Sequence, residues 1–429
     1  MNARPRLLML SPVVPAEGGH GLAMRAGLFL NAYARMFEID LAVFPLIAAP
    51  ILVTDFVKMR VARVEIFDRL PLDSHFQLVA AIVDPDQRLA AFRAFGRPSL
   101  TGRLGAAAQD RLGHWLGPAR YDVVHVERLY LAPLAQRWLL PDPASRPRLM
   151  IDCDDDDAAT YQRVAAIERR SQRPRAAAWA ETEAAAFAKM ARQVLPRFDR
   201  AFVASSKDIA SMSQHAPSVA LVPNVAPRGV TAVPRNPRRR DRTILFTGTM
   251  GYLPNDEAVR WLVSRIWPRL CKAVRGPLRL LIVGRDPAAD LVRLARGQGV
   301  RVIGAVPDLA PYYRAADLAV IPLRAGGGTR IKLLEAAAYG VPIVSTTIGA
   351  EGTTFRHRHD LLLADTENGF VRACAEMLTD DKRAADLSRR ARARVRRDYD
   401  RDRWSRRISD WAACGLVTRI NDAATHARP

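Results

Sequence analysis

PLRAGGGTRIKLLEAAAYG, residues 322–340, follows the apolar run DLAVIPL (317–323) with three consecutive glycines and then apolar residues at helical spacing. Gly326, Gly327 and Gly328 allow close backbone approach to a ligand, and a helix starting near Thr329 turns N–H groups and its positive dipole end toward the same point. A diphosphate fits there. Arg330 and Lys332 add positive charge, while Glu335 falls more than one turn into the helix, where a carboxylate accepts hydrogen bonds from ribose hydroxyls instead of facing phosphate. A glycine-rich loop before an ordinary solvated helix has the same spacing, so the surrounding chain has to decide its meaning.

Working outward, TILFTG (243–248), LRLLIVG (278–284), VRVIGAV (300–306), DLAVIPL and VPIVSTT (341–347) are short apolar runs, each closed by a polar or glycine-containing loop. That alternation predicts a parallel sheet covered on both faces, with ligands beyond the carboxyl ends of its strands. The first half repeats the theme: RLLMLSP (6–12), the glycine-rich turn PAEGGHG (15–21), an amphipathic stretch over 22–37, then IDLAVFPL, YDVVHVE, RLMIDCD and RAFVASS. Between them APRGVTAVPRNPRRRDR, 226–242, has no regular hydrophobic period and reads as a linker. The expected architecture is α/β, with two doubly wound Rossmann-like domains facing a cleft. They span 1–225 on the acceptor side and 243–382 for the nucleotide, and helices over 383–429 pack back on the first domain. Residues 51–103 are the least readable and are expected to shape the acceptor side.

At 429 residues, 49% hydrophobic and 25% charged, the chain belongs with globular proteins and is long enough for two cores. The longest apolar run, Leu41 to Thr54, is shorter than the ~20 residues of a membrane span and contains Pro45 and Pro50. Together with the lack of a signal-like N-terminus, this predicts a cytoplasmic protein. Four scattered cysteines, Cys153, Cys271, Cys374 and Cys414, form no metal-spaced pair. The formal charge of +21 favours anionic partners, although only six of the 65 basic residues are lysine, so the arginine excess is partly compositional. Lys332 stands out against that background.

GGGTRIKLLEAAAYGVPIVST (326–346), preceded by VRVIGAVPDLAPYYRAADLAVIPL (300–323), resembles the nucleotide-binding region of family 4 glycosyltransferases, which are GT-B enzymes. FTGTMGYLPNDEAVRWLVSRIWP (246–268) is similar to a subgroup associated with exopolysaccharide biosynthesis. The likeness extends more weakly to SPVVPAEGGHGLAMR (11–25) and MIDCDDDDAATYQR (150–163). It implies a nucleotide-sugar donor, a glycan or lipid-linked acceptor, retention of anomeric configuration, and no metal or other cofactor. Glu335 matches the second glutamate of the family's Glu-x7-Glu motif, but the position of the first is Gly327. The Arg and Lys pair usual after the first strand of the second domain is absent from TGTMGYLPND, where Gly248 marks the loop; Arg330 and Lys332, with Arg285, would then supply the charge. Gly304, Val306 and Pro307 sit where the family reads the nucleobase, and Gly18 and Gly19 where a loop faces donor phosphates and acceptor. A family histidine from the strand end of YDVVHVE contacts the donor sugar, which points to His125, with Glu127 two residues on as the other position.

The acidic run Asp152, Asp154, Asp155, Asp156 and Asp157 has the composition of a Mg²⁺ or Mn²⁺ site, yet its place in the first half favours a role at the cleft or in capping a helix. Hydride transfer is excluded because no G-x-G-x-x-G follows the first strand. A nucleotide-sugar epimerase on the same fold and a basic nucleic-acid-binding protein remain as alternatives, the second without a supporting motif. Attachment to an anionic inner membrane surface is expected from the charge and from lipid-linked acceptors.

Overall fold

The computed structural model describes residues 4–46, 51–139, 146–232, 241–297, 299–327 and 330–414. The chain divides into one unit of Met1–Val222 with Arg401–Pro429 and another of Pro223–Asp400. Residues 233–240 of the expected linker lie outside the described residues.

The first unit holds a seven-stranded sheet of β1 (Arg6–Ser11), β2 (Glu38–Val43), β3 (Arg63–Ile66), β4 (Val123–Glu127), β5 (Arg148–Asp154), β6 (Arg200–Val203) and β7 (Val219–Leu221). Its order is β3-β2-β1-β4-β5-β6-β7, and every pair is parallel. Parallel strands have both faces covered, and here alternate residues serve the two sides. Leu8, Leu10, Val124, Val126, Leu149 and Ile151 join one buried cluster with Phe187 and Phe198. On the opposite side His125 packs against Phe29 of the helix Gly21–Tyr33. The helix Arg401–Ala413 covers that helix in turn: Ser409 Oγ donates to the Ala32 carbonyl, and Asn31 Nδ2 donates to Ser405 Oγ at 3.2 Å.

The second unit repeats the topology with β8 (Arg242–Thr247), β9 (Leu278–Val283), β10 (Val300–Ile303), β11 (Leu318–Ile321), β12 (Ile343–Ser345) and β13 (Leu362–Leu363), in the order β10-β9-β8-β11-β12-β13. In both sheets the order reverses at the first strand, so a switch point lies beyond the carboxyl ends of β1 and β4, and another beyond β8 and β11. The terminal helices divide between the units. Asp381–Asp398 packs on the helix Ile331–Tyr339 of the second unit, whereas Arg401–Ala413 belongs to the first, so the segment expected to return as one piece does so only from Arg401.

Candidate functional site

The switch point of the second sheet gathers the side chains that matter most. β8 ends at Thr247, and the loop after it carries Gly248 and Thr249 and leads into the helix Leu253–Trp261, whose first turn holds Asn255; β11 ends at Ile321, and the loop after it leads into the helix Ile331–Tyr339. Lys332 Nζ donates to Asn255 Oδ1 at 2.7 Å and lies 4.5 Å from the centre of the Phe246 ring. Asn255 is itself oriented, since its Nδ2 donates to the Thr249 carbonyl at 2.8 Å. A Cβ at Gly248 would meet both Lys332 Nζ and Asn255 Nδ2 at 2.9 Å, so a larger residue there would have to displace these side chains. One turn along, Glu335 is buried, and its Oε2 accepts from the Tyr313 hydroxyl at 2.9 Å.

Burial sets the electrostatics of this pair. It pushes the Glu335 carboxyl up to about 7, against the Tyr313 hydrogen bond and the Lys332 charge, which both pull it down. Burial and the Arg330 cation push the Lys332 ammonium down to about 7, with Glu335 opposing. Both groups therefore change charge near neutrality. The helix start is receptive too: it has no acidic residue in its first turn and no side-chain cap from Arg330, whereas Asp73, Asp84, Asp156 and Asp380 cap the helices that follow them. At the other end Gly340, φ 73°, closes the helix in the left-handed conformation.

The other expected donor residues are spread more widely. Gly326, φ 114°, faces the Arg330 guanidinium, 3.0–3.3 Å from where a Cβ would stand, and Arg330 Nη1 donates to the Gly327 carbonyl. Buried Arg330 thus braces the glycine turn from within. Gly328 and Thr329 lie outside the described residues. Arg285 follows β9, where its carbonyl accepts from Met250 N at 2.9 Å and its Nε lies 3.7 Å from Asp286. Gly304, Val306 and Pro307 follow edge strand β10 in the loop that leads to the helix Ala310–Ala315. Sequence reasoning missed Asn255 and Tyr313. Asn255 stands inside the quoted TGTMGYLPND loop, whereas nothing in the spacing of APYYRAAD separates Tyr313 from an ordinary core tyrosine.

In the first unit Gly18 and Gly19 lie on an exposed turn where a Cβ would meet nothing within 4 Å, just before the helix Gly21–Tyr33. His125 has to be corrected. It is 0% exposed, its ring stacks on Phe29 at 4.7 Å, and its Nδ1 is 2.9 Å from the Tyr33 hydroxyl. Burial, with the Arg25 cation second, pushes its pKa down to about 3, so it is a neutral core residue and no sugar contact. Its position in mid-strand, with the side chain aimed under a helix, is what the sequence could not reveal. Glu127 does reach the switch point. Ser11 Oγ is 2.8 Å from both the Val13 carbonyl and Glu127 Oε2. The serine hydroxyl is the donor to Glu127, and that bond opposes burial and the Asp152 charge, which push the Glu127 carboxyl well up.

The acidic run is consumed by arginines. Arg25 pairs with Asp152 through two bonds of 2.6 Å and donates to the Val222 carbonyl at 2.8 Å. Arg128 reaches Asp154 at 2.8 Å, Asp155 at 3.0 Å and Asp157 at 2.9 Å. Asp156 Oδ1 caps the helix Asp157–Arg170 by accepting from Ala159 N at 3.1 Å. These carboxylates hold a β-bulge at Asp152/Asp154, where Asp154 adopts φ 63°.

Residues 241–380 match the family model for glycosyl transferases group 1. Sucrose-phosphate synthase from Thermosynechococcus elongatus superimposes with a TM-score of 0.65 at 16% identity, covering 98% of this chain and 100% of that one. Anabaena Alr3699/HepE, solved in complex with UDP and glucose, gives 0.58 at 13% identity over 95% and 99%. The chain has the GT-B fold. Among curated proteins, the D-inositol 3-phosphate glycosyltransferase of Salinispora tropica is 31% identical over 156 residues, 34% of this chain and 32% of the relative. An uncharacterized 44.6 kDa protein in the cps region of Klebsiella pneumoniae is 25% identical over 138 residues, 30% of this chain and 35% of the relative. The matched stretch is thus about a third of the length of these relatives. In this GT-B chain the family match falls on the unit that carries Lys332 and Glu335. Among the described residues no helix is long and apolar enough to cross a membrane.

Proposed function

We propose that this chain is a glycosyltransferase that takes a sugar from a nucleotide-sugar donor and passes it to a hydroxyl of a glycan or lipid-linked acceptor in exopolysaccharide or other cell-surface glycan synthesis. The observation that carries the reading is the pair Lys332 and Glu335, one turn apart on an uncapped helix at the switch point of the sheet that matches glycosyl transferases group 1. The HepE complex with UDP and glucose supports a uridine donor, and the cps-region relative supports a surface-glycan pathway.

In this mechanism the acceptor hydroxyl displaces a nucleoside diphosphate from the anomeric carbon, and negative charge grows on the leaving diphosphate. Lys332, held over Phe246 by Asn255, meets that charge together with the helix N-terminus, while Arg330 keeps the glycine turn in shape. Glu335 grips the ribose. Charge neutralisation by these groups needs no metal, and the family likeness supports retention of configuration. A cavity of about 260 Å³ beyond β2 and β3, walled by Phe67, Arg69 and Arg103, supports the first unit as the acceptor side.

The test is binding and transfer with a panel of nucleotide sugars. Glu335→Ala and Lys332→Ala should stay folded and each lose nucleotide affinity by roughly 3 kcal/mol, the usual cost of one preorganised charge contact. Nucleotide affinity unchanged in both variants would remove the site.

A further inference from the structure

Tyr313 is 1% exposed and stacks on Tyr339 with ring centres 5.0 Å apart and planes 8° apart. Its hydroxyl lies 3.0 Å from Thr247 Oγ1, 2.9 Å from Glu335 Oε2 and 3.5 Å from the Lys332 carbonyl. A phenol has one proton, and both the carboxylate and the carbonyl can only accept. The shortest of these contacts is to the carboxylate, so the proton goes to Glu335 and the Thr247 hydroxyl donates to Tyr313. A chain Thr247 to Tyr313 to Glu335 therefore runs from the end of β8, through the helix before β11, to the helix after it.

This chain occupies Oε2 of Glu335 and leaves Oε1, which makes no hydrogen bond among the described residues, as the oxygen for a ligand. The distinction has a binding consequence. A carboxylate pinned in one orientation is left with a buried, unpaired oxygen when the ligand lacks its hydroxyl, and that loss is large. A carboxylate free to turn can satisfy itself elsewhere and is nearly indifferent.

We propose that Tyr313 is a positioning residue which, by pinning Glu335, makes the site discriminate ribonucleoside from deoxyribonucleoside diphosphates. The inference rests on the reading of Glu335 as the ribose contact. The experiment measures the affinities of UDP, GDP, their 2′,3′-dideoxy counterparts and inorganic pyrophosphate for the full chain and for Tyr313→Phe, Thr247→Val and Glu335→Gln. The wild type should prefer the ribose form by about 30-fold, within the range of a lost hydrogen bond to a buried charge. In Tyr313→Phe that preference should fall below about threefold while pyrophosphate affinity is kept, since a hydrogen bond that orients the carboxylate has been removed and the anion site has not. Thr247→Val, which removes only the donor to Tyr313, should lower the preference in the same direction and carries the test if Tyr313→Phe does not fold. An unchanged preference in the folded variants overturns the proposal, as does an equal loss for all ligands including pyrophosphate, which marks a merely structural role. If the wild type shows no ribose preference, or Glu335→Gln keeps it, the ribose reading of Glu335 fails first and takes the proposal with it.

Discussion

Burial holds Glu335 and Lys332 both near 7, far from their ordinary ranges, and the sign of each shift fixes what burying the pair costs. Glu335 has a raised folded pKa, so its contribution to stability is present at low pH and is lost as pH rises toward about 7. Lys332 has a lowered one, so its contribution is present at high pH and is lost as pH falls toward about 7. At neutrality the buried pair therefore destabilises the fold, and on the proposed reading a donor relieves it, the diphosphate favouring the ammonium and ribose hydroxyls the carboxylate. Affinity for UDP-glucose, whose diphosphate does not titrate in this range, should peak near pH 7 and fall on both sides; a flat calorimetric profile from about pH 5.5 to 8.5 would contradict the pairing. His125 makes the opposite prediction. His125→Phe leaves the Tyr33 hydroxyl unpaired and should cost about 1–3 kcal/mol in denaturant unfolding while leaving nucleotide affinity unchanged. Loss of transfer at full stability would restore a catalytic role. At this scale glycine spacing and charge drew attention to Lys332 and Glu335, but not to the orientation that buries His125, because a strand residue shows its face only once the covering helix is known.

Among the elements, the loops after β8 and β9 are pressed together. A Cβ at Gly284 would stand 1.8 Å from the Gly248 carbonyl, and Gly248 in turn backs onto Lys332 and Asn255. Gly284→Ala should therefore separate the loops and weaken nucleotide binding tenfold or more without touching the ligand, because overpacking against backbone costs about 1–3 kcal/mol. Wild-type affinity in this variant would mean that the loops are independent. The strands of the second unit and the helix Ile331–Tyr339 were legible because apolar runs of strand length closed by glycine loops admit few other structures. The helices Ser74–Ala81 and Pro85–Phe95 were not, since each buries only one residue, Phe76 or Phe92, and so has no apolar stripe to read. The acidic run was legible as charge and opaque as structure: its partners, Arg25 and Arg128, come from other segments.

For the molecule as a whole, the formal charge of +21 bears on association with surfaces and says nothing of fold. Binding to anionic vesicles should be detectable at about 0.1 M salt and largely lost near 1 M, as the screening length shrinks from about 10 Å to about 3 Å. Sedimentation with vesicles that is absent at low salt, or indifferent to salt, would exclude the proposed attachment to an anionic membrane surface. The amino-acid order alone determined two doubly wound units and the place of a glycine turn before a helix in the second, because the alternation of apolar runs and glycine turns is a local property of the chain. Only the tertiary structure decided that Asn255 and Phe246 hold Lys332, that Tyr313 and Thr247 hold Glu335, and that His125 belongs to the core. These are contacts between residues distant in sequence, and which groups meet depends on strand order and side-chain direction, neither of which is written in local spacing.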